Sequence, residues 1–313
     1  MDAAGRADRL AAALLAAGAG SGAAAFRVAG SGPATRSWGS LPDAAVFEAG
    51  SVTKTVTGLL LALAIGAGEV AGTDRLDRFL PGTGAAGGAT LAELATHTSG
   101  LPRLPAGLLL RAAVHPVDPY HGTSLRRLVR DTRWVRRGPP GPALYSNLGV
   151  ALLGQALAAA AAVPYWELAG RRVLVPLGMA GGDLPRSALA QPGRAWDLGA
   201  YAPAGGLRAT VDDLLRLAWV AARPDESPFP AAAADALTPR AAMSGRSVGW
   251  CWMIGPPGRG VLAWHNGATG AGWAFVGASR AGALAVCVPE PRKAAWDGLA
   301  LQALAAGTVG SPQ

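Results

Sequence analysis

Lysine and asparagine are nearly missing from this chain. Its 313 residues include two lysines, Lys54 and Lys293, and two asparagines, Asn147 and Asn266. The net charge is +8, carried almost wholly by arginine. When a residue type is this scarce, each surviving copy draws attention. Cysteine is as rare: Cys251 and Cys287 cannot make a disulfide framework. Both fall in strand-like stretches, "VGWCWMIG" and "ALAVCVPE". If the C-terminal strands pair in chain order, three strand spacings hold them about 14 Å apart, beyond the reach of a bridge. Free, buried thiols are expected. Charged residues make up only 15% of the chain and apolar residues 50%, which excludes a disordered protein. The longest apolar helix candidate, 53–65, is shorter than the ~20 residues a membrane-crossing helix needs. The four histidines have no metal-ligand spacing, so neither a metal nor another cofactor is expected.

What is present divides into three regions. "LAAALLAAGAGSGAAAF" (10–26) has the apolar character of a secretory h-region, but acidic Asp2 and Asp8 precede it. Leu and Ala at helical spacing predict instead a short amphipathic helix packed on a sheet, and with it a cytoplasmic protein. Two strands follow around the turn "SGPA". A helix is predicted over 51–66, stopped by Gly66 and Gly68. The middle of the chain reads as helices. Thr90 and Glu93 have capping-box spacing, 124–137 has a helical pattern, "NLGVALLGQALAAAAAV" (147–163) is strongly helical, Pro164 can open another helix, and Thr210 can cap a helix after it. "SVGWCWMIG", "GVLAWHNG", "WAFVGAS" and "ALAVCVPE" then read as four strands, and "KAAWDGLALQALAAG" as a closing helix. Strands at both ends and helices between predict an α/β lobe from 1–85 plus 206–313 and an all-α lobe over 86–205, with a site in the cleft between them.

Ser51 and Lys54, in "FEAGSVTKTVTG" (47–58), stand at the head of the apolar helix. Residues three apart share a helix face. A serine hydroxyl is a weak nucleophile until a base takes its proton, and a lysine in apolar surroundings loses charge. Lys54 is therefore a candidate proton partner for Ser51. Ser-x-x-Lys alone arises readily by chance. "LYSNLG" (144–149) adds Tyr145, a phenol whose pKa a nearby lysine cation would lower, and Asn147, which offers either a helix N-cap or an amide for a substrate carbonyl or Lys54. "WHNGATG" (264–270) adds His265 and Gly267 at a strand end, a donor beside a glycine that admits a ligand to the backbone.

Taken in that order, Ser-x-x-Lys, Tyr-x-Asn and His-x-Gly resemble the penicillin-recognising serine hydrolases. The versions here are similar to the branch of class C β-lactamases, D-alanyl-D-alanine carboxypeptidases and esterases. "LATHTSGLP" (94–102), "VPLGM" (175–179) and "AGGLRATVDDLLRLA" (204–218) match it as well, so the resemblance runs over about 40–290. It implies a β-lactamase/transpeptidase-like fold of α+β type, an antiparallel sheet flanked by helices with the all-α lobe inserted. By the same resemblance Ser51 is the nucleophile of an acyl-enzyme, and Lys54 and Tyr145 share the proton transfers. Asn147, His265 and Gly267 meet the substrate, and His265 orients Tyr145 or a substrate carboxylate. The backbone N–H groups of Ser51 and Ala268 form the oxyanion hole. His97, in "THTSG", would be a structural residue at a turn behind the site. There are departures. His265 stands where class C β-lactamases have lysine, which weakens a claim to strong β-lactam turnover. "GATGAGW" is bulkier than usual at Trp273, and no appended C-terminal domain is seen.

The expected partner is a small-molecule ester, amide or D-amino-acid peptide. No nucleic-acid motif is found. The run "RRLVRDTRWVRR", Arg126–Arg137, packs six arginines into twelve residues. It reads first as a solvated helix face. It also suggests a dock for an acidic carrier protein, which would fit an acyltransferase using the same acyl-enzyme. A third possibility is a non-catalytic ligand binder on the same fold.

Overall fold

The computed structural model describes residues 1–306 except 43, 116, 181, 183–188, 191, 192, 194 and 257–259. The stretch 180–205, expected with 103–122 to shape the pocket, lies partly outside the described residues.

The chain opens with α1 (Ala3–Ala16), β1 (Gly22–Val28), β2 (Pro33–Trp38) and the two-residue β3 (Phe47–Glu48). A 3₁₀ turn, Gly50–Val52, leads into α2 (Thr53–Gly66). Helices follow: α3 (Leu91–Ala95), α4 (Ala106–Val114), α5 (Leu125–Thr132), α6 (Asn147–Ala160), α7 (Tyr165–Ala169) and α8 (Ala202–Gly205). After β4 (Arg208–Ala209) come α9 (Val211–Ala222) and α10 (Pro230–Leu237). The chain finishes with β5 (Ala241–Met243), β6 (Arg246–Val248), β7 (Met253–Ile254), β8 (Val261–Ala268), β9 (Trp273–Ser279), β10 (Gly282–Val288) and α11 (Ala294–Ala305).

Among the described residues the main sheet has eight strands in the order β2-β1-β10-β9-β8-β7-β6-β5, every pair antiparallel. The N-terminal hairpin thus joins the C-terminal strands through β1–β10, where Ala24 faces Val286. Side chains alternate across the pleat, and the two faces differ in size. Trp273, Phe275, Leu284 and Val286 pack with Leu10 and Leu14 of α1 and Trp296 of α11. The opposite face shows Ala274, Val276, Ala283, Ala285 and Cys287 to the cluster that contains α2 and α9. Small residues there let helices approach the sheet closely. Each large side chain buried on the other face contributes about 2 kcal/mol.

Helix α2 is buried nearly all round, the mark of a central helix. Its threonines are satisfied: Thr53 Oγ1 donates to the Gly50 carbonyl (2.6 Å) and Thr57 Oγ1 to the Pro203 carbonyl (2.7 Å). Capping boxes start α3 at Thr90 and α9 at Thr210, at the spacings read from the sequence. The N-terminal segment forms a helix on the sheet, burying Ala3, Ala7, Leu10 and Leu14.

Four details differ from the sequence reading. The helix predicted over 124–137 ends at Thr132; Arg137 then turns inward, its Nε donating to the Ser99 carbonyl (2.8 Å) and its Nη2 pairing with Glu93 (2.7 Å). "SVGWCWMIG" is two short strands around a turn, because Cys251 adopts a left-handed φ of 60° and gives its N–H to the Ala95 carbonyl (3.1 Å). Cys251 is therefore in a turn and not in a strand. Both thiols are free and buried. Strand β5, with its alanines, gave no strand signal. Pro164 caps α7 from outside instead of occupying its first turn.

Candidate active site

The site is built on one close approach. The β3–β4 ladder pairs Phe47 with Ala209 and Glu48 with Arg208, and Ala49 N–H donates to the Leu207 carbonyl (2.8 Å). This delivers the Gly50–Val52 turn against the end of β8. Gly50 has φ 50°, and a Cβ there would lie 2.7 Å from the Ala268 nitrogen. A Cβ on Gly267 would lie 2.0 Å from the Ala49 oxygen and 2.6 Å from the Ser51 nitrogen. Only glycine fits at either position. Gly267, expected to meet substrate, is thus the packing point that brings β8 beside Ser51. The backbone amides of Ser51 and Ala268 are placed side by side by the same contact, and both residues line the cleft.

Lys54 is fully buried in the first turn of α2. Its Nζ donates to Ser51 Oγ at 2.9 Å and to the Ala204 carbonyl at 2.5 Å. Burial lowers its pKa from 10.5 to about 7; the Cys251 thiol and the Arg103 guanidinium act on it in opposite senses and more weakly. Near neutral pH a large fraction of Lys54 is therefore free amine, able to accept a proton.

Tyr145 stands beside the same pair, with Ser51 among the groups that act on its phenol. Its ring lies 5.0 Å from Lys54 Nζ, 4.7 Å from the His97 ring and 6.1 Å from the His265 ring. The sequence reading had its phenol lowered by the lysine. The direction is the reverse: burial dominates, and the phenol is pushed up. Ser146 caps α6, accepting from Gly149 N–H at 2.9 Å, so Asn147 is free of that duty. It lines the cleft with Tyr120, and its Oδ1 is buried without a partner there.

His265 is also buried and neutral, with burial the first cause and Lys54 the second of a pKa pushed down to about 3. Its Nδ1 sits 2.7 Å from the Asn266 carbonyl. A carbonyl only accepts, so Nδ1 carries the proton and Nε2, buried and unpartnered, is an acceptor. His97 has a structural contact, its Nδ1 accepting from Ser146 N–H at 3.3 Å.

The structure therefore brings Ser51, Lys54, Tyr145, Asn147, Gly267 and Ala268 together, with His265 behind Tyr145. It leaves His115 exposed at the end of α4 and His121 beside Asp118 and Asp197. Arg126, Arg133 and Arg136 are exposed. Among the described residues no three metal-ligating side chains gather. Sequence reasoning missed the aromatic wall: Tyr120 packs on Tyr201 at 5.1 Å and Trp196 at 5.4 Å, and all three line the cleft. Nothing local in "AGGLRAT" marks the Ala204 carbonyl as a partner of Lys54 either. The free cavity at Ser51 is about 30 Å³, room for little more than a water.

A fold with this sheet, a buried Ser-x-x-Lys pair and a glycine strand beside it defines a class, and sequence comparison agrees. The family model described as beta-lactamase matches residues 7–305, and the chain belongs to that family. Among solved structures it is similar to a class C beta lactamase from Rhodobacter sphaeroides, with a TM-score of 0.81, 18% identity, and coverage of 98% of this chain and 100% of that one. A beta-lactamase/D-alanine carboxypeptidase from Pseudomonas syringae gives a TM-score of 0.79 at 18% identity, covering 98% and 99%. Both establish the fold, the β-lactamase-like architecture expected from the motifs. Among curated proteins the chain is 35% identical over 143 residues to the D-alanyl-D-alanine-carboxypeptidase/endopeptidase AmpH of Escherichia coli K12. That match covers 43% of this chain and 35% of AmpH, so the chain spans about a third of the length of that relative.

Proposed function

We propose that the protein is a serine hydrolase that cleaves an ester or amide through an acyl-enzyme on Ser51. The observation that carries the reading is Lys54 Nζ at 2.9 Å from Ser51 Oγ, buried and with its pKa near neutral. As Oγ attacks the substrate carbonyl, its proton passes to the Lys54 amine. The carbonyl oxygen gains the charge and is held by the Ser51 and Ala268 N–H groups, a type of donor worth about 3 kcal/mol of barrier. The tetrahedral adduct collapses, the C–O or C–N bond breaks, and the leaving group takes the proton from Lys54 by way of Tyr145. Water then repeats the sequence on the acyl-enzyme and frees Ser51. Lys54, and not Tyr145, is the base in the resting enzyme, because burial favours the uncharged form of both groups: it frees the amine and keeps the phenol protonated.

The neutral, accepting His265 supports substrates that present an N–H or O–H at that place over those needing a cation on β8. Treatment with a fluorophosphonate and mass mapping of the adduct tests the reading: a label on Ser51, lost in Ser51→Ala and slowed in Lys54→Ala, is expected. No label on Ser51 overturns it. Acyl transfer to an amine or alcohol would use the same intermediate, and product analysis with such an acceptor present separates the two outcomes.

A further inference from the structure

Arg103 belongs to none of the three motifs, yet it stands at the site. Its carbonyl accepts the N–H groups of Asn147 and Leu148 at 3.1 and 3.2 Å, which fixes this residue against the first turn of α6. Its guanidinium lies 5.5 Å from the centre of the Tyr145 ring. The side chain is exposed and makes no ion pair among the described residues.

The other basic groups around Tyr145 cannot offer a charge to a ligand. Lys54 is buried and committed to Ser51 and the Ala204 carbonyl. His265 donates its Nδ1–H to the Asn266 carbonyl and presents only the Nε2 lone pair. His97 is held neutral by burial and occupied at Nδ1. Arg103 offers a guanidinium whose planar fork matches the two oxygens of a carboxylate.

We propose that Arg103 is the anion subsite of this cleft, pairing with a carboxylate on the substrate and taking over a task that a cation on β8 would otherwise perform. The proposal rests on the acyl-enzyme reading only for its kinetic test. It also sharpens the substrate class: the scissile bond lies in an ester or amide whose carboxylate points toward the 101–105 segment and away from His265.

The test uses two aryl esters alike except that one ends in a carboxylate and the other in its methyl ester. In Arg103→Gln, KM for the carboxylate ester should rise roughly thirtyfold more than KM for the neutral one, with kcat changed alike for both, as expected for a charge-assisted pair. Arg103→Lys should restore part of the preference, and added salt should weaken it in the wild type. His265→Gln should leave the ratio of the two KM values unmoved. Equal losses for both esters in Arg103→Gln, or a ratio that follows His265 instead, would overturn the assignment. Binding of the carboxylate product to Ser51→Ala, with and without Arg103→Gln, is read by calorimetry and does not depend on turnover. If neither ester labels Ser51, the acyl-enzyme reading fails, while unchanged calorimetric affinity in Arg103→Gln sinks the subsite by itself.

Discussion

Two cationic regions of this molecule behave in opposite ways. Lys54 is a single positive group sealed inside α2, held by Ser51 and one carbonyl. The segment 126–137 carries six arginines, with Arg127 and Arg130 beside Asp131 and Arg137 on Glu93. Most of these arginines face water, and an exposed pair such as those of Arg127 and Arg130 with Asp131 adds ~0–1 kcal/mol. Removal of water lowers the Lys54 pKa to about 7, and on the proposed acyl-enzyme reading it is this desolvation, not the amount of charge, that makes the amine a base.

The contrast can be broken most sharply at Lys54. Lys54→Ala should reduce ester turnover by about a thousandfold, and Lys54→Arg should not rescue it, because arginine stays protonated. In the wild type, kcat/KM should rise as pH passes through about 7, where the amine loses its proton; a flat profile from pH 5 to 9 would remove Lys54 from the role of base. Gly267→Ala comes next. Its methyl would displace the Ser51 turn, and a shift of that kind costs roughly a hundredfold in kcat, with Lys54 and its pH profile left in place.

The third effect is on stability. The unfolded chain keeps the Lys54 proton up to about pH 10.5, the folded protein only to about pH 7. Between those values the unfolded state binds more protons, so stability should climb with pH from 7 to 10.5. Below pH 7 the whole cost of the buried cation is present, on the order of 5 kcal/mol. Lys54→Met should therefore raise Tm, most at pH 6 and little near pH 10. A melting scan that shows the same shift at both pH values would refute this. The smallest effect belongs to the arginine run: Arg126→Gln should change Tm by less than about 1 °C and leave turnover of a soluble ester unaltered, since this side chain is exposed and unpaired among the described residues.

Much of this contrast was legible in the sequence. A lysine in "SVTKTVTGLLLALAI" must be buried by its neighbours, and its spacing from Ser51 fixes the shared face. The antiparallel sheet and its helices followed from the motif order. What escaped was long-range. No local pattern says that the Ala204 carbonyl will meet Lys54, or that Tyr120, Trp196 and Tyr201 will converge on one wall. The sign of the Tyr145 shift escaped too, because it depends on how much of the chain covers the phenol. The helix predicted through 137 failed because Arg137 finds Glu93, more than forty positions earlier.

The pinch between Gly50 and Gly267 also bears on when the protein can act. Ser51 and Gly267 are more than two hundred positions apart, and the Ala204 carbonyl on Lys54 arrives late as well. During synthesis the serine and its lysine emerge early, but the strand that brings the Ala268 amide beside Ser51 is still unmade. A nascent or half-folded chain therefore holds an ordinary serine beside a solvated, protonated lysine. On the acyl-enzyme reading, the reactivity of Ser51 waits for β8 and the Ala204 carbonyl to reach it.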